Sequence, residues 1–173
     1  LKNFHNIVAG LEKSKEWLSN QPTELLIGLI DLARQKWMSS KSLETYRNHG
    51  LNFLIDWSTP ERLSALLDEG LRGKRGMMDN FIPKDKSQKS LIMASPRGVV
   101  VHWLSGNVPL LGMFLLIQSI LCKNINILKV SSNESQALPA LLESFKGLTY
   151  TSKGGKKIDG NDLLKTISVL YFD

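Results

Sequence analysis

The run Gly98-Val-Val-Val-His102-Trp-Leu-Ser-Gly-Asn107-Val-Pro109 joins three β-branched residues to a small polar turn, and an almost wholly apolar segment follows at once. Few architectures accommodate that order. Val99, Val100 and Val101 favour an extended strand, and an unbroken apolar run predicts burial on both faces, as inside a parallel sheet. Trp103 is expected in the core on the same grounds. Pro109 suits the first turn of a helix. From there to Cys122 only Gln118 and Ser119 interrupt the apolar pattern, which predicts a buried helix. The run falls short of the roughly 18–20 apolar residues that cross a bilayer, so no membrane span is expected.

Lys123 and Asn124 end that helix, and Ile125-Asn-Ile-Leu-Lys-Val130 reads as a second strand. A strand, helix and strand in this order form a right-handed crossover between parallel strands. The polar turn at Ser105-Gly106-Asn107 and the polar run Ser131-Ser-Asn-Glu-Ser135 then share the carboxyl edge of the sheet. Open α/β sheets bind ligands along that edge.

The rest of the chain is read from its punctuation. Residues 1–80 have helical patterning, with Leu25, Leu26, Leu29, Ile30 and Ala33 at helical spacing behind Pro22-Thr23. A second helix is predicted from about Ser42 to Trp57, and a third from Pro60 to Leu71 with Thr59 as its cap. The stretch from Pro83 to Ser90 is a loop or hairpin connection before a short strand at Leu91-Ile-Met-Ala94. Residues 136–148 read as a helix that Gly147 helps to end, 151–160 as an exposed, mobile insertion, and 167–173 as a buried strand. The predicted fold class is α/β, with an N-terminal helical region over 1–90 and part of a parallel-sheet cofactor-binding domain over 91–173. Because the chain stops at Asp173 directly on a strand, it is expected to be an N-terminal fragment.

Composition narrows the partners. Lysine and arginine exceed aspartate and glutamate by 22 to 16, a net charge of +6 that favours anionic ligands. The basic residues fall in small groups without interleaved aromatics, so they are read as solvated loops and nucleic acid is not an expected partner. A single cysteine excludes an internal disulfide framework, and no signal peptide opens the chain. A cytoplasmic location is the expectation. No His, Cys, Asp and Glu spacing points to a metal.

Pro96-x-Gly98-Val-Val, Asn107-x-Pro109, the apolar helix, Asn124 and Leu128-Lys129-x-Ser131 together resemble the cofactor-domain core of the aldehyde dehydrogenase superfamily. Within it, His102-Trp-Leu-Ser-Gly106-Asn107-Val108-Pro109 is most similar to the LuxC-type acyl-CoA reductases, the reductase component of bacterial fatty acid reductase complexes such as those of bioluminescence. The resemblance is specific over about residues 90–135. It is weaker over 40–90, where Leu67-x-Glu69 and Asp79-x-Phe81 fit, and negligible before that.

The resemblance implies NADPH-dependent reduction of a fatty acyl-CoA or acyl-protein thioester to an aldehyde, through a cysteine thioester. It implies that Asn107 donates its amide N–H to the thioester oxygen, a kind of contact worth about 3–4 kcal/mol in a transition state. Leu104, Ser105 and Gly106 would line the nicotinamide side. Lys129 would contact the adenosine ribose, with Ser131 and Ser132 beside it. Ser132 stands where NAD-preferring relatives usually carry Glu, so repulsion against a 2′-phosphate is absent and Lys129 adds attraction. The nucleophilic cysteine and the later Gly-rich turn would lie beyond residue 173, so these residues alone are expected to be inactive. The resemblance further implies an acyltransferase or synthetase partner and a homo-oligomer.

The residues themselves leave other readings open. Asn107 also suits a turn or a helix cap, Lys129 an ordinary strand end, and Ser131 and Ser132 ordinary caps. His102 is read as a hydrogen-bonded structural residue. Cys122, at the end of an apolar helix, sits where the helix dipole and burial both raise a thiol's pKa, which disqualifies it as a nucleophile. A non-catalytic nucleotide- or anion-binding module, and a helical partner-docking module, are the alternative functions.

Overall fold

The computed structural model describes residues 2–104, 110–131 and 136–171. Four helices lead the chain: α1 (Lys2–Ser19), α2 (Thr23–Ser39), α3 (Leu51–Trp57) and α4 (Pro60–Gly70). A two-strand hairpin follows, β1 (Ile82–Pro83) with β2 (Leu91–Ile92), and then the crossover unit β3 (Val99–Trp103), α5 (Leu111–Leu121) and β4 (Ile125–Val130). The remaining elements are α6 (Ala137–Glu143), β5 (Thr149–Thr151), β6 (Lys157–Asp159), α7 (Gly160–Leu164) and β7 (Ile167–Tyr171). The protein is thus of mixed α/β class, with a three-stranded parallel sheet in the order β3-β4-β7.

Helix α2 organises the helical part. Its stripe of Leu25, Leu26, Leu29, Ile30, Ala33 and Trp37 is buried, as the helical spacing predicts. Trp37 donates its indole N–H to the Leu141 carbonyl at 3.2 Å and meets the Phe145 ring edge-on. At α4 the predicted start is observed, with Thr59 Oγ1 accepting from the Arg62 N–H and Pro60 in the first turn. One hydrophobic core runs continuously from Leu11 on α1 to Leu163 on α7.

The single helix expected over 42–57 is instead two segments. Lys41–His49 is a 3₁₀ helix, and Gly50, at φ 101°, turns the chain left-handed before α3 begins. A right-handed helix cannot pass through that conformation, and glycine adopts it without steric cost. The helix expected over 136–148 also ends early, at Glu143. Its last turn tightens, with the Phe145, Lys146 and Leu148 N–H groups returning to the Leu142, Glu143 and Phe145 carbonyls three residues back, and Gly147, at φ 68°, turns the chain left-handed. The expected insertion at 151–160 is the tip and return strand of the β5–β6 hairpin, with Ile158 and Gly160 buried.

Strand β4 is covered on both faces, since consecutive residues Ile125 to Leu128 are all buried. Strand β3 is not. It lies at the sheet edge and alternates, leaving Val99, Val101 and Trp103 exposed. The expectation of two-sided burial, and of Trp103 in the core, fails because a buried face needs a neighbour on that side. Helix α5 packs on β3 and β4, and α1 on β4 and β7; among the described residues the outward side chains of β3 stay exposed.

The helical part and the crossover unit are joined by one buried ion pair. Lys123 is 4% exposed, and its Nζ donates to Asp79 Oδ1 at 2.8 Å and to the Met78 carbonyl at 2.6 Å. The same carboxylate oxygen accepts the backbone N–H and the hydroxyl of Thr23, both at 2.9 Å. Removing one partner of a buried pair leaves an uncompensated charge. Asp79→Ala is therefore expected to lower unfolding stability by about 3 kcal/mol in urea titrations, and Asp79→Asn, which still accepts from Thr23, by less.

Candidate functional site

The parallel β3–β4 register pairs His102 with Leu128 and Trp103 with Lys129. The next residue, Leu104, keeps to the ladder by donating its N–H to the Lys129 carbonyl at 3.0 Å. Leu104 is half-buried, and its side chain closes on α5 where Gly112 has none: a Cβ there would stand 2.5 Å from Leu104 Cδ1. Ser131, half-buried, follows directly on β4. Leu104, Lys129 and Ser131 are thus brought to one carboxyl edge, as the crossover reading requires. Ser105, Gly106, Asn107 and Ser132, the other candidate residues, lie outside the described residues.

The Lys129 ammonium stands over the Trp103 indole, 5.2 Å from the ring centroid. Sequence reasoning singled out Lys129 but missed Trp103, because an apolar run does not say which of a strand's faces stays exposed, as the outer face of β3 does among the described residues. A cation held on an aromatic face at the sheet's carboxyl edge suits an anionic, partly aromatic ligand.

Beneath this edge runs a polar chain. Asn124 Oδ1 accepts the Gly98 N–H at 3.2 Å, Asn126 Nδ2 donates to the Asn124 carbonyl at 2.7 Å, and Asn126 Oδ1 faces His102 Nε2 at 3.0 Å. Asn126 is fully buried, and its own N–H donates to the Thr166 carbonyl at 2.8 Å, which ties β4 to the start of β7. With the amide nitrogen committed to Asn124, the oxygen facing His102 requires a hydrogen on Nε2. The neutral ring then carries an acceptor at Nδ1. The reading of His102 as a hydrogen-bonded structural residue agrees with this arrangement. Long-range ¹⁵N–¹H spectra are expected to show His102 as the Nε2–H tautomer in wild type, and Asn126→Leu is expected to abolish that preference.

One concavity lies in the helical part, and another opens at the start of α5. A mixed-charge cleft of about 490 Å³ is lined by Glu24, Asp31, Arg75, Asp79 and Tyr150, among others. An apolar groove of about 390 Å³ is lined by His49, Gly50, Phe53, Leu110, Leu111 and Phe114. Its last members open α5, directly after the segment that carries Asn107. No metal-holding cluster of His, Cys, Asp and Glu occurs among the described residues. No helix among them is long and apolar enough to cross a membrane.

The sequence profile described as acyl-CoA reductase (LuxC) matches residues 18–173, which takes in the whole crossover and most of the helical part. The chain belongs to the LuxC acyl-CoA reductase family. Among its relatives, the long-chain acyl-protein thioester reductase of Photorhabdus luminescens is 44% identical over 73 residues, 42% of this chain and 15% of that protein. The long-chain acyl-protein thioester reductase 2 of Photobacterium leiognathi is 39% identical over 111 residues, 63% of this chain and 21% of its own length. The Vibrio harveyi long-chain acyl-protein thioester reductase is 24% identical over 99% of this chain, which spans 37% of that protein. The chain therefore spans well under half the length of these curated relatives.

Within this LuxC-family chain, Cys122 is a free thiol. The residue is exposed, yet it borders an apolar groove lined by Leu66, Leu67, Leu71, Met78 and Leu121. Burial pushes its thiol above the usual range, and a raised pKa leaves little thiolate at neutral pH. Iodoacetamide at pH 7.5 is expected to alkylate Cys122 several-fold more slowly than an unstructured cysteine, with the difference vanishing in urea.

Proposed function

We propose that this chain supplies the nucleotide edge and the oxyanion donor of a cytoplasmic, NADPH-dependent reductase that converts a long-chain acyl thioester to an aldehyde. The observation that carries the reading is the parallel β3–β4 pairing. It brings Lys129 and the entrance to the Asn107 segment to one carboxyl edge, and the family match spans both strands. The similarity to long-chain acyl-protein thioester reductases supports an acyl thioester as substrate. So does the apolar groove at Leu110 and Leu111, which offers a path for an alkyl chain. The donor set fits a phosphorylated nucleotide, since Lys129 contributes a cation and Trp103 an aromatic face.

In this reading the protein has an aldehyde-dehydrogenase-like cofactor domain over 91–173, preceded by the helical region 1–90. Lys129 holds the adenosine ribose and its 2′-phosphate, with Ser131 and Ser132 beside it. Ser132 presents no carboxylate to repel that phosphate. Leu104, Ser105 and Gly106 line the nicotinamide side. The nicotinamide supplies hydride when bound. Asn107 holds the carbonyl oxygen while negative charge develops on it, a neutral N–H donor being suited to that task. A cysteine from outside these residues carries the acyl group as a thioester and leaves as thiolate when the aldehyde forms. The substrate is an acyl-CoA or an acyl-protein, the partner an acyltransferase or synthetase, and the working form a homo-oligomer.

The test is acyl-thioester-dependent oxidation of NADPH by the longest natural form of the protein. Asn107→Ala is expected to lower turnover by roughly 100-fold or more with the fold intact by circular dichroism. A folded protein that binds NADPH but turns over no acyl thioester would overturn the reductase reading and leave a nucleotide-binding module.

A further inference from the structure

The strand and the helix of the crossover meet closely where one of them has no side chain. Gly112, buried in the first turn of α5, would bring a Cβ to 2.5 Å from Leu104 Cδ1 and to 3.6 Å from Leu104 Cγ and Cδ2. The Leu104 methyl thus takes the space that any other residue at 112 would fill. No turn calls for glycine here, because the backbone is helical, and a glycine inside a helix is less stable than alanine. The space it leaves is what accounts for it. Leu104 is fixed from the other side by its backbone, whose N–H donates to the Lys129 carbonyl at 3.0 Å. A bulkier residue at 112 therefore moves the side chain of Leu104 before it moves the strand. Strand side chains lean along the strand direction. Backward along it, on the same face, stands His102, held against Asn126 Oδ1 at 3.0 Å. Forward lies the carboxyl edge.

We propose that Gly112 is a positioning residue for the nicotinamide half of the cofactor: by seating Leu104 against α5 it keeps that side chain off the carboxyl edge, where the ring binds. The inference rests on the nucleotide-edge reading above and deepens it. In that reading the two halves of the dinucleotide meet different strands. The nicotinamide lies against Leu104 at the end of β3, and the adenosine half against Lys129 on β4. A side chain pushed out of its seat obstructs the first half and leaves the second untouched. Binding the ring then requires Leu104 to be pressed back into an unfavourable rotamer, and that cost appears as lost affinity.

The test is calorimetric titration of two ligands, NADPH and adenosine 2′,5′-bisphosphate, the second of which lacks the nicotinamide half. They are titrated into the longest natural form of the protein and into its Gly112→Ala, Leu104→Ala and Leu104→Ala/Gly112→Ala variants. Gly112→Ala is expected to fold, because alanine favours a helix and only the end of one side chain must move. It is expected to weaken NADPH binding by roughly 3- to 10-fold, and to change bisphosphate binding by less than about 2-fold. In the Leu104→Ala background the same substitution is expected to change neither, since the side chain it displaces is gone. If Gly112→Ala does not fold, Leu104→Phe, which overfills the same seat from the strand side, carries the expectation in its place. Equal weakening of both ligands, unchanged NADPH binding, or an undiminished loss in the Leu104→Ala background would overturn the inference while leaving the nucleotide edge standing. Wild type that binds neither ligand would overturn the nucleotide-edge reading itself, and the inference with it.

Discussion

The contact on which the rest of this structure depends is the carboxylate of Asp79. One of its oxygens takes the ammonium of Lys123 and both donors of Thr23. Those three residues come from places far apart in the chain: the start of α2, the segment after a short 3₁₀ turn, and the end of α5. The carboxylate satisfies an N–H that opens a helix and complements the positive end of that helix's dipole. Lys123 occupies the left-handed position of a Schellman turn, at φ 59°, with the Asn124 N–H returning to the Ser119 carbonyl. Glycine is the usual residue there. Lysine in its place brings a charge that the fold uses, because the ammonium locks the end of α5 onto Asp79 and the Met78 carbonyl.

With the end of α5 so held, the direction and register of β4 are defined, and with them the carboxyl edge. The asparagines that follow carry the restraint onward. The Asn124 side chain receives the backbone of Gly98 at the entry to β3, the Asn126 side chain reaches across to His102 on β3, and the Asn126 backbone N–H donates to Thr166 before β7. Buried polar groups of this kind are costly unless partnered, and here each has its partner. The result is a sheet whose strands are cross-tied by side chains as well as by the backbone ladder. Such a base can present Lys129 and Leu104 in a constant geometry, which a site assembled from loops could not do alone.

Much of this was legible in the chain. The valine run, the apolar segment and Asn124 led to a parallel crossover, and Thr59-Pro60 to a capped helix, because each feature acts through local backbone sterics or hydrogen bonding; Pro109 lies outside the described residues. Reading failed where the outcome depended on a distant neighbour. Trp103 and Val101 looked like core residues, since nothing within β3 says that its outer face stays exposed among the described residues. The segment around Gly50 looked like one continuous helix, although the left-handed turn at Gly50 divides it, whereas Gly147 stands left-handed past the end of α6 as its position suggested. The Asp79 to Lys123 pair spans 44 positions, and no spacing rule marks two residues that far apart as partners.

The sequence by itself determined the elements and the class of fold, along with the grouping of small polar residues after two strands, since propensity, capping and apolar periodicity operate over a few residues. Only the tertiary structure decided which face of β3 is exposed among the described residues, which lysine is buried against a carboxylate and which stands over an indole ring. Those outcomes depend on what packs beside a residue from elsewhere in the chain. Lys123 and Lys129 make the point together: six positions apart in one short stretch, one is closed into the core by Asp79, and the other stands half-buried at the carboxyl edge over the Trp103 ring.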